Sequence, residues 1–456
     1  MNRKLKLNPA QIIVVGFFLL ILVGAILLSL PVSTMPGHKV SFLDAFFTST
    51  SAVCVTGLVV VDTGTTYTLF GQIVIILLIQ AGGLGVMTVT TMVFLLIGKR
   101  ITLSERMVLR ESLNEFDLSG LVKMILKVIR VTLFTELAGA VLLAIRFVPM
   151  FGLKGVFYSL FHAISAFCNA GFDLFGQEYS PFCSLVPFVS DPLVVLTISA
   201  LIIVGGLGFM VVADIFSVSR MRARKKMSRY TRLVLAANAV MIALGLIAFY
   251  SAELGNPGTL GGLDTGGRIL GGIFQTVTPR TAGYNTIDQN AMLPVSKFMT
   301  IVLMFIGASP AGTGGGIKTT TAAIVTLFAT YGILGRKDIT LRERRISPGT
   351  IQRATIITIT SFVFVLAACL ALIGIEGDRG GIFTSENLIF EVVSGFGTVG
   401  LTTGITPQLS AASQIVLILT MFVGRVGLTS LVISLASRAG QNNSCIRYPE
   451  ERVMVG

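Results

Sequence analysis

Phe46-Phe47-Thr48-Ser49-Thr50-Ser51-Ala52-Val53-Cys54-Val55-Thr56-Gly57-Leu58 is a short apolar stretch that runs into a glycine, and versions of it return three more times. The second reads Leu160-Phe161-His162-Ala163-Ile164-Ser165-Ala166-Phe167-Cys168-Asn169-Ala170-Gly171-Phe172, and the third Ile273-Phe274-Gln275-Thr276-Val277-Thr278-Pro279-Arg280-Thr281-Ala282-Gly283-Tyr284-Asn285. The fourth is Phe390-Glu391-Val392-Val393-Ser394-Gly395-Phe396-Gly397-Thr398-Val399-Gly400-Leu401. Aligned on Gly57, Gly171, Gly283 and Gly400, the steps are 114, 112 and 117 residues, and Phe47, Phe161, Ile273 and Phe390 stand at one position ahead of the glycines. Self-similarity at a steady period marks a repeated structural unit.

The solvent of that unit follows from composition. Mean hydropathy is +0.85, with 53% hydrophobic and 12% charged residues, about half the charged share of a soluble domain. Apolar runs long enough to cross a hydrocarbon core of about 30 Å, which takes about 20 helical residues, lie at 10–30, 70–97, 125–148, 192–218, 232–251, 298–333 (interrupted), 353–375 and 412–436. The first run is too long for a secretory signal and no small-residue cleavage site follows it, so it is read as the first of eight spans. Cys54, Cys168, Cys183, Cys369 and Cys445 show no metal-binding spacing, and neither disulfides nor metal clusters are expected.

The formal charge of +13 is not spread evenly. Basic residues gather in alternate loops: Arg3, Lys4 and Lys6; then Lys99 to Arg130; then Arg220 to Arg232; then Arg336 to Arg353. By the positive-inside rule these loops and both termini face the cytoplasm and the glycine turns open outward. The charge therefore reports topology rather than nucleic acid, with docking of an acidic partner or anionic lipid as the lesser reading.

Each quarter repeats one plan: a spanning helix, a short outer helix of about ten residues, a glycine turn, and a second spanning helix. The boundaries fall at 1–98, 99–220, 221–335 and 336–456, the last with a C-terminal tail. Ten residues cannot cross a bilayer, so each outer helix is re-entrant, and non-helical backbone at that depth needs a protein or water-filled surround. The expected fold is an all-α polytopic membrane protein, four such repeats around a pseudo-fourfold central pore, with eight transmembrane and four pore helices.

The second spans carry small residues: Ala81-Gly82-Gly83-Leu84-Gly85, Val204-Gly205-Gly206-Leu207-Gly208, and Val423-Gly424-Arg425-Val426-Gly427. In the first two, glycine pairs are read as close helix packing. The third copy, Gly307-Ala308-Ser309-Pro310-Ala311-Gly312-Thr313-Gly314-Gly315-Gly316-Ile317-Lys318, cannot stay helical, because proline lacks an N–H and each glycine costs about 1 kcal/mol in a helix. It is expected to break near mid-membrane, border the permeation path and act as a gate.

Moving a cation across lipid requires replacing its hydration shell, and rings of backbone carbonyls do this. Glycine permits the dihedrals that aim carbonyls at an axis. The ring-formers expected are Val55-Thr56-Gly57, Asn169-Ala170-Gly171, Thr281-Ala282-Gly283 and Thr398-Val399-Gly400, with the negative ends of the outer helix dipoles favouring cations.

The four repeats, the Thr281–Asn285 turn and the broken Gly307–Thr320 segment together resemble the Trk/Ktr/HKT superfamily of cation transporters, and the eight-span order is similar to the membrane subunits of bacterial Ktr potassium uptake systems. The resemblance covers nearly the whole chain. It implies potassium as the transported ion, held by the filter carbonyls, with a glycine such as Gly57 in the first turn going with potassium and a serine there with sodium. It also implies gating by the third repeat's loop beside a basic residue of the last span, Arg425, and a homodimer seated on a cytosolic RCK-type (KtrA-like) ring of nucleotide-binding regulatory subunits in the bacterial plasma membrane. No cofactor is expected in this chain, and ATP/ADP or NAD only on the partner. Only Thr398-Val399-Gly400 comes near the potassium-channel filter TVGYG, and the first three turns, with Cys54 and Cys168 where threonine would sit, are poorer, so fewer well-formed rings and some sodium permeation are expected.

Arg425 lies inside a span, where a bare charge costs several kcal/mol, so it must face a cavity or partner; it is read as a barrier or latch beside the loop. Lys318 is placed either on the loop or at the inner mouth. Glu136, Asp214 and Glu391 are candidates for cation attraction or for capping and ion pairing, and Asp44 for capping. His162, taken to have no histidine or carboxylate counterpart in the other copies, is read as packed or hydrogen-bonded rather than as a proton relay. Against the conducting pore stands an ion-coupled symporter with alternating access, which calls for inverted halves where these repeats run parallel. An enzyme is not expected: with two histidines, no HExxH and no P-loop, no catalytic cluster is legible.

Overall fold

The structure, a computed structural model, describes residues 9–85, 88, 121–220, 227–336, 338–341 and 344–428. The largest cytoplasmic loop that the sequence leads one to expect, roughly 98–124, lies outside the described residues up to 120, and so does the tail expected after Ser437 as a docking segment. Four helices lead the four repeats: α1 (Pro9–Leu28), α4 (Leu121–Phe151), α8 (Arg229–Glu253) and α12 (Pro348–Glu376). These are the four that are individually long and apolar enough to cross a membrane among the described residues. They turn Phe134, Leu137, Ile247 and Leu370 outward, as a lipid-facing helix does.

Inside them sit the short outer helices α2 (Phe42–Cys54), α5 (Leu153–Phe167), α9 (Thr265–Val277) and α13 (Ser385–Gly397). Three begin on an oxygen cap: Ser41, Asp264 and Thr384 each accept from an N–H of the first turn, which satisfies a donor the helix leaves free. At the first, Asp44 completes a capping box by accepting from the Ser41 N–H, so Asp44 does cap.

The second spans differ from the expectation. Only the third was expected to break, yet all four stop at the same level. α3 (Leu69–Leu84) ends on Gly85 at φ +85°, and α14 (Ala411–Val426) on Gly427 at φ +86°. α6 (Pro192–Gly206) turns through 102° into α7 (Phe209–Arg220) at Gly208, φ +88°. α10 (Pro294–Phe305) and α11 (Thr319–Ile333) are separated by the loop Ile306–Lys318. Positive φ is open to glycine without the Cβ clash that bars other residues, which is why one glycine suffices at three of these points.

The close packing read from the glycine pairs is also present. A Cβ on Gly82 would stand 2.0 Å from the Val53 carbonyl oxygen, on Gly205 1.9 Å from Phe167 O, and on Gly424 1.9 Å from Phe396 O. Three second spans, α3, α6 and α14, thus rest on the ends of their own outer helices. Each second span also packs on the outer helix of the next repeat, α3 on α5, α6 on α9, α10 on α13 and α14 on α2, which closes the ring. The core is this central barrel, where Phe47, Phe161, Phe274 and Phe390 are fully buried. Phe274, not Ile273, is therefore the third counterpart, so the third copy is one residue shorter ahead of its glycine. A two-stranded hairpin, β1 (Thr340–Leu341) with β2 (Arg344–Arg345), joins α11 to α12.

Candidate functional site

The four glycine turns meet at the centre. Two residues before each glycine the backbone is left-handed, Val55 at φ +58°, Asn169 +59°, Thr281 +69° and Thr398 +50°, and so is each glycine, at +96°, +70°, +82° and +91°. The residue between them is not. A non-glycine residue in that region costs about 1–2 kcal/mol, and local bonds hold it there. The N–H of Thr56 donates to Ser51 O, Ala170 to Ser165 O and Val399 to Ser394 O, each at 2.8 Å. These close the helix ends with the longer C-terminal bond that accompanies a left-handed cap.

The same three serines act a second time. Ser51 Oγ accepts from the Gly57 N–H at 3.0 Å, Ser394 Oγ from Gly400 at 3.1 Å, and Ser165 Oγ from Phe172 at 3.1 Å. In the third copy Thr278 donates its hydroxyl to the Tyr284 carbonyl. These hydroxyls were not among the sequence-derived site residues. The signal existed, a hydroxyl at a fixed place before each glycine, but the one-residue shortening of the third copy hides it.

The turns close on one another in chain order. A Cβ on Gly57 would lie 2.5 Å from Ala170 O, on Gly171 2.7 Å from Ala282 O, on Gly283 2.5 Å from Val399 O, and on Gly400 2.1 Å from Thr56 O. Four carbonyl oxygens thereby stand beside four glycines in one closed ring. Lateral bonds tie the middle of it: Asn169 Nδ2 donates to Thr281 Oγ1 at 3.2 Å, and Tyr284 Oη to Phe172 O at 2.9 Å.

One polar side chain in each of the last three outer helices anchors the chain that leaves the turn. His162 Nε2 accepts from the Leu174 N–H at 3.4 Å while Nδ1 meets Tyr158 O at 2.7 Å, and its ring stacks on Phe175 at 4.3 Å. Gln275 exchanges amide bonds with Gln289. Glu391 accepts from the Thr402 hydroxyl, the Thr403 N–H at 3.1 Å and Thr406 Oγ1 at 2.9 Å. Counted back from the glycines, Glu391 stands where His162 does, so the expectation that His162 has no carboxylate counterpart was mistaken. Its packed, hydrogen-bonded placement is as expected. Glu136 meets Gln80 at 3.3 Å and Cys168, and Asp214 accepts from Ser228 and Thr231 at the start of α8.

The loop Ile306–Lys318 lies against the ends of the interrupted spans and against two of the turns. Ser309 and Thr313 donate their N–H groups to Gly206 O and Gly205 O at 3.0 and 3.3 Å, and Gly316 to Gly424 O at 3.3 Å. The last four carbonyls of a helix lack partners, and the loop supplies donors for α6 and α14. Arg425 supplies them for α3: Nη2 donates to Gly82 O and, at 3.3 Å, to Gly83 O, while Nη1 donates to Thr313 O in the loop. Thr313 Oγ1 reaches Asn169 Oδ1 at 3.3 Å, and the Gly315 N–H donates to Thr398 Oγ1 at 2.8 Å. Lys318 Nζ folds back onto Gly314 O at 2.7 Å, so it belongs to the loop. The charge of Arg425 is thus balanced by helix C-terminal dipoles, and none of the ion pairs among the described residues includes it.

Comparison with known proteins follows this geometry. Residues 4–445 match the TrkH family, described as cation transport proteins. The chain is 40% identical to Ktr system potassium uptake protein B of Bacillus subtilis, covering 100% of this chain and 98% of that protein. It is 38% identical to the potassium/sodium uptake protein NtpJ of Enterococcus hirae over 99% and 98% of the two. The crystal structure of the potassium transporter TrkH from Vibrio parahaemolyticus superposes with a TM-score of 0.69 at 18% identity, covering 95% and 86%, a likeness of fold.

Proposed function

This chain belongs to the TrkH family of cation transport proteins, membrane-spanning transporters and not enzymes, and from that premise we propose that it takes up potassium through the ring of glycine turns. The observation that carries the reading is the cyclic approach of Gly57, Gly171, Gly283 and Gly400 to the carbonyls of Ala170, Ala282, Val399 and Thr56. Carbonyl rings replace the hydration shell of a cation entering a filter. Val55-Thr56-Gly57 and its three counterparts form that filter, with potassium as cargo. The relatives' names, potassium uptake and potassium/sodium uptake, support potassium with an admixture of sodium.

The loop Gly307–Lys318 closes the path beneath the filter, and Arg425 holds it shut by joining it to α3. Control comes from outside the chain. A cytosolic RCK-type ring binding ATP/ADP or NAD docks on a homodimer in the plasma membrane, with both termini in the cytoplasm. The Ktr system naming of the relative and the alternation of basic loops support that arrangement.

Potassium uptake by cells stripped of their own uptake systems, with and without a regulatory ring, tests the reading. Rescue at micromolar potassium, with loss of potassium preference in Gly57→Ser, is expected. Uptake indifferent to Gly57 would return the chain to the symporter class.

A further inference from the structure

Where α11 meets α12, beside the hairpin β1–β2, lies an open cavity of about 450 Å³ lined by Phe328, Ile339, Ile346, Ile351 and Ile356 and, among polar residues, by Asp338, Arg345, Gln352 and Thr355. Its depth in the bilayer follows from helix lengths. α11 starts at the mid-membrane break and has 15 residues, which rise about 22 Å, past the ~15 Å half-thickness of the hydrocarbon core. α12 has 29 residues, about 43 Å, longer than the core is thick, and Ile351 and Ile356 lie in its first turns. The cavity therefore opens at headgroup level, with its apolar wall toward the acyl chains. Ile333 and Leu334, at the end of α11, are 87% and 67% exposed.

Arg345 lines the cavity, and the chain around it is basic: Arg344 on β2 and Arg353 on the first turns of α12 are exposed, and the guanidinium of Arg336 lies over the Tyr331 ring at 5.6 Å. Arg345 spends Nε on Asp338, 2.8 Å away, but a guanidinium has five donors in a fork suited to phosphate. From Arg336 to Arg353 the sequence has six basic residues and two acidic ones. A largely apolar slot at the interface, with one guanidinium in its wall and others on the neighbouring chain, matches one class of occupant by charge and shape.

We propose that the groove between α11, α12 and the hairpin binds an anionic diacyl phospholipid, one acyl chain against Phe328, Ile351 and Ile356 and the phosphate on Arg345, with Arg344 adding to the local positive charge. Basic pockets between membrane helices hold such headgroups through the same combination. The site concerns the lipid and does not depend on which ion the pore conducts.

The sequence contains no tryptophan, so a single introduced one reports its surroundings. Phe328→Trp in the full chain, reconstituted in zwitterionic vesicles doped with brominated phosphatidylglycerol or brominated phosphatidylcholine, reads out the site by quenching. Leu370→Trp, on the lipid face of α12 and 63% exposed, serves as control. Quenching at position 328 is expected at lower mole fraction of phosphatidylglycerol, by about fivefold for each contributing arginine, the equivalent of ~1 kcal/mol. Both lipids should quench at position 370 equally. Arg344→Gln with Arg345→Gln should erase the preference at 328 while leaving the 370 control unchanged. Equal quenching by the two lipids at 328, a preference that survives the double substitution, or a tryptophan reached by neither because another protein or a second copy covers it, would each overturn the proposal.

Discussion

Arg425 and Thr313 are 112 residues apart in sequence, and the guanidinium of the first donates directly to the carbonyl oxygen of the second. Because the other nitrogen of that guanidinium donates to Gly82 and Gly83, one side chain joins the fourth repeat, the loop of the third and the broken span of the first. A hydrogen bond from a charged group is worth about 1.5–3 kcal/mol net. Arg425→Gln is therefore expected to free the loop and raise the maximal potassium uptake rate several-fold. Arg425→Lys, which keeps the charge but loses the two-pronged geometry, should fall between. Uptake unchanged in both variants would count against the loop as a gate.

Gly400 separates crowding from backbone strain. An alanine there keeps φ at +91° and places Cβ 2.1 Å from Thr56 O, whereas Gly404, φ +87°, has nothing within 4 Å. Both substitutions incur the ~1 kcal/mol left-handed penalty, but only Gly400→Ala must displace the neighbouring turn. A potassium-to-sodium uptake ratio at least about tenfold lower, about 1.4 kcal/mol, is expected for Gly400→Ala. Gly404→Ala should retain the parental ratio, and equal losses in the two would point to strain alone.

Removing the Ser394 hydroxyl leaves the Gly400 N–H, now its donor at 3.1 Å, without that acceptor. An unmet buried donor costs about 1–3 kcal/mol. Ser394→Ala should lower both the melting temperature in detergent and the potassium-to-sodium uptake ratio, with Ser51→Ala behaving alike through Gly57. Full selectivity in the double variant would show that the hydroxyls do not shape the turns.

Asp173, just outside the second turn, has its carboxyl pushed up to about 7, first by burial and then by the facing carboxylate of Asp62. The folded protein therefore holds this proton more tightly than the unfolded chain, whose aspartate titrates near 3.9. Its contribution to stability is greatest below about pH 4 and is lost as pH rises to about 7. Melting curves across pH 5 to 8 should show Asp173→Asn losing less stability with rising pH than the parent. Parallel pH profiles would mean the carboxyl is not held in this way.

The membrane class, the four repeats and the positions of the glycine turns were legible because each is local: hydropathy, period and residue type suffice. The break of the third repeat was legible for the same reason, since five glycines and a proline cannot stay helical. The other three breaks were not, because Gly85, Gly208 and Gly427 look like ordinary packing glycines, and it is the tertiary supply of donors from the loop and from Arg425 that lets those helices end within the protein.

The serine hydroxyls and the anchors His162, Gln275 and Glu391 were hidden differently. Their partners lie after the turn, and the third copy's missing residue breaks the register that would have aligned them. The amino-acid order alone determined that four short helices must end at four glycines. Only the closed ring decided what surrounds them, because the carbonyl beside each glycine belongs to the next repeat, more than a hundred residues away, and no sequence window contains both.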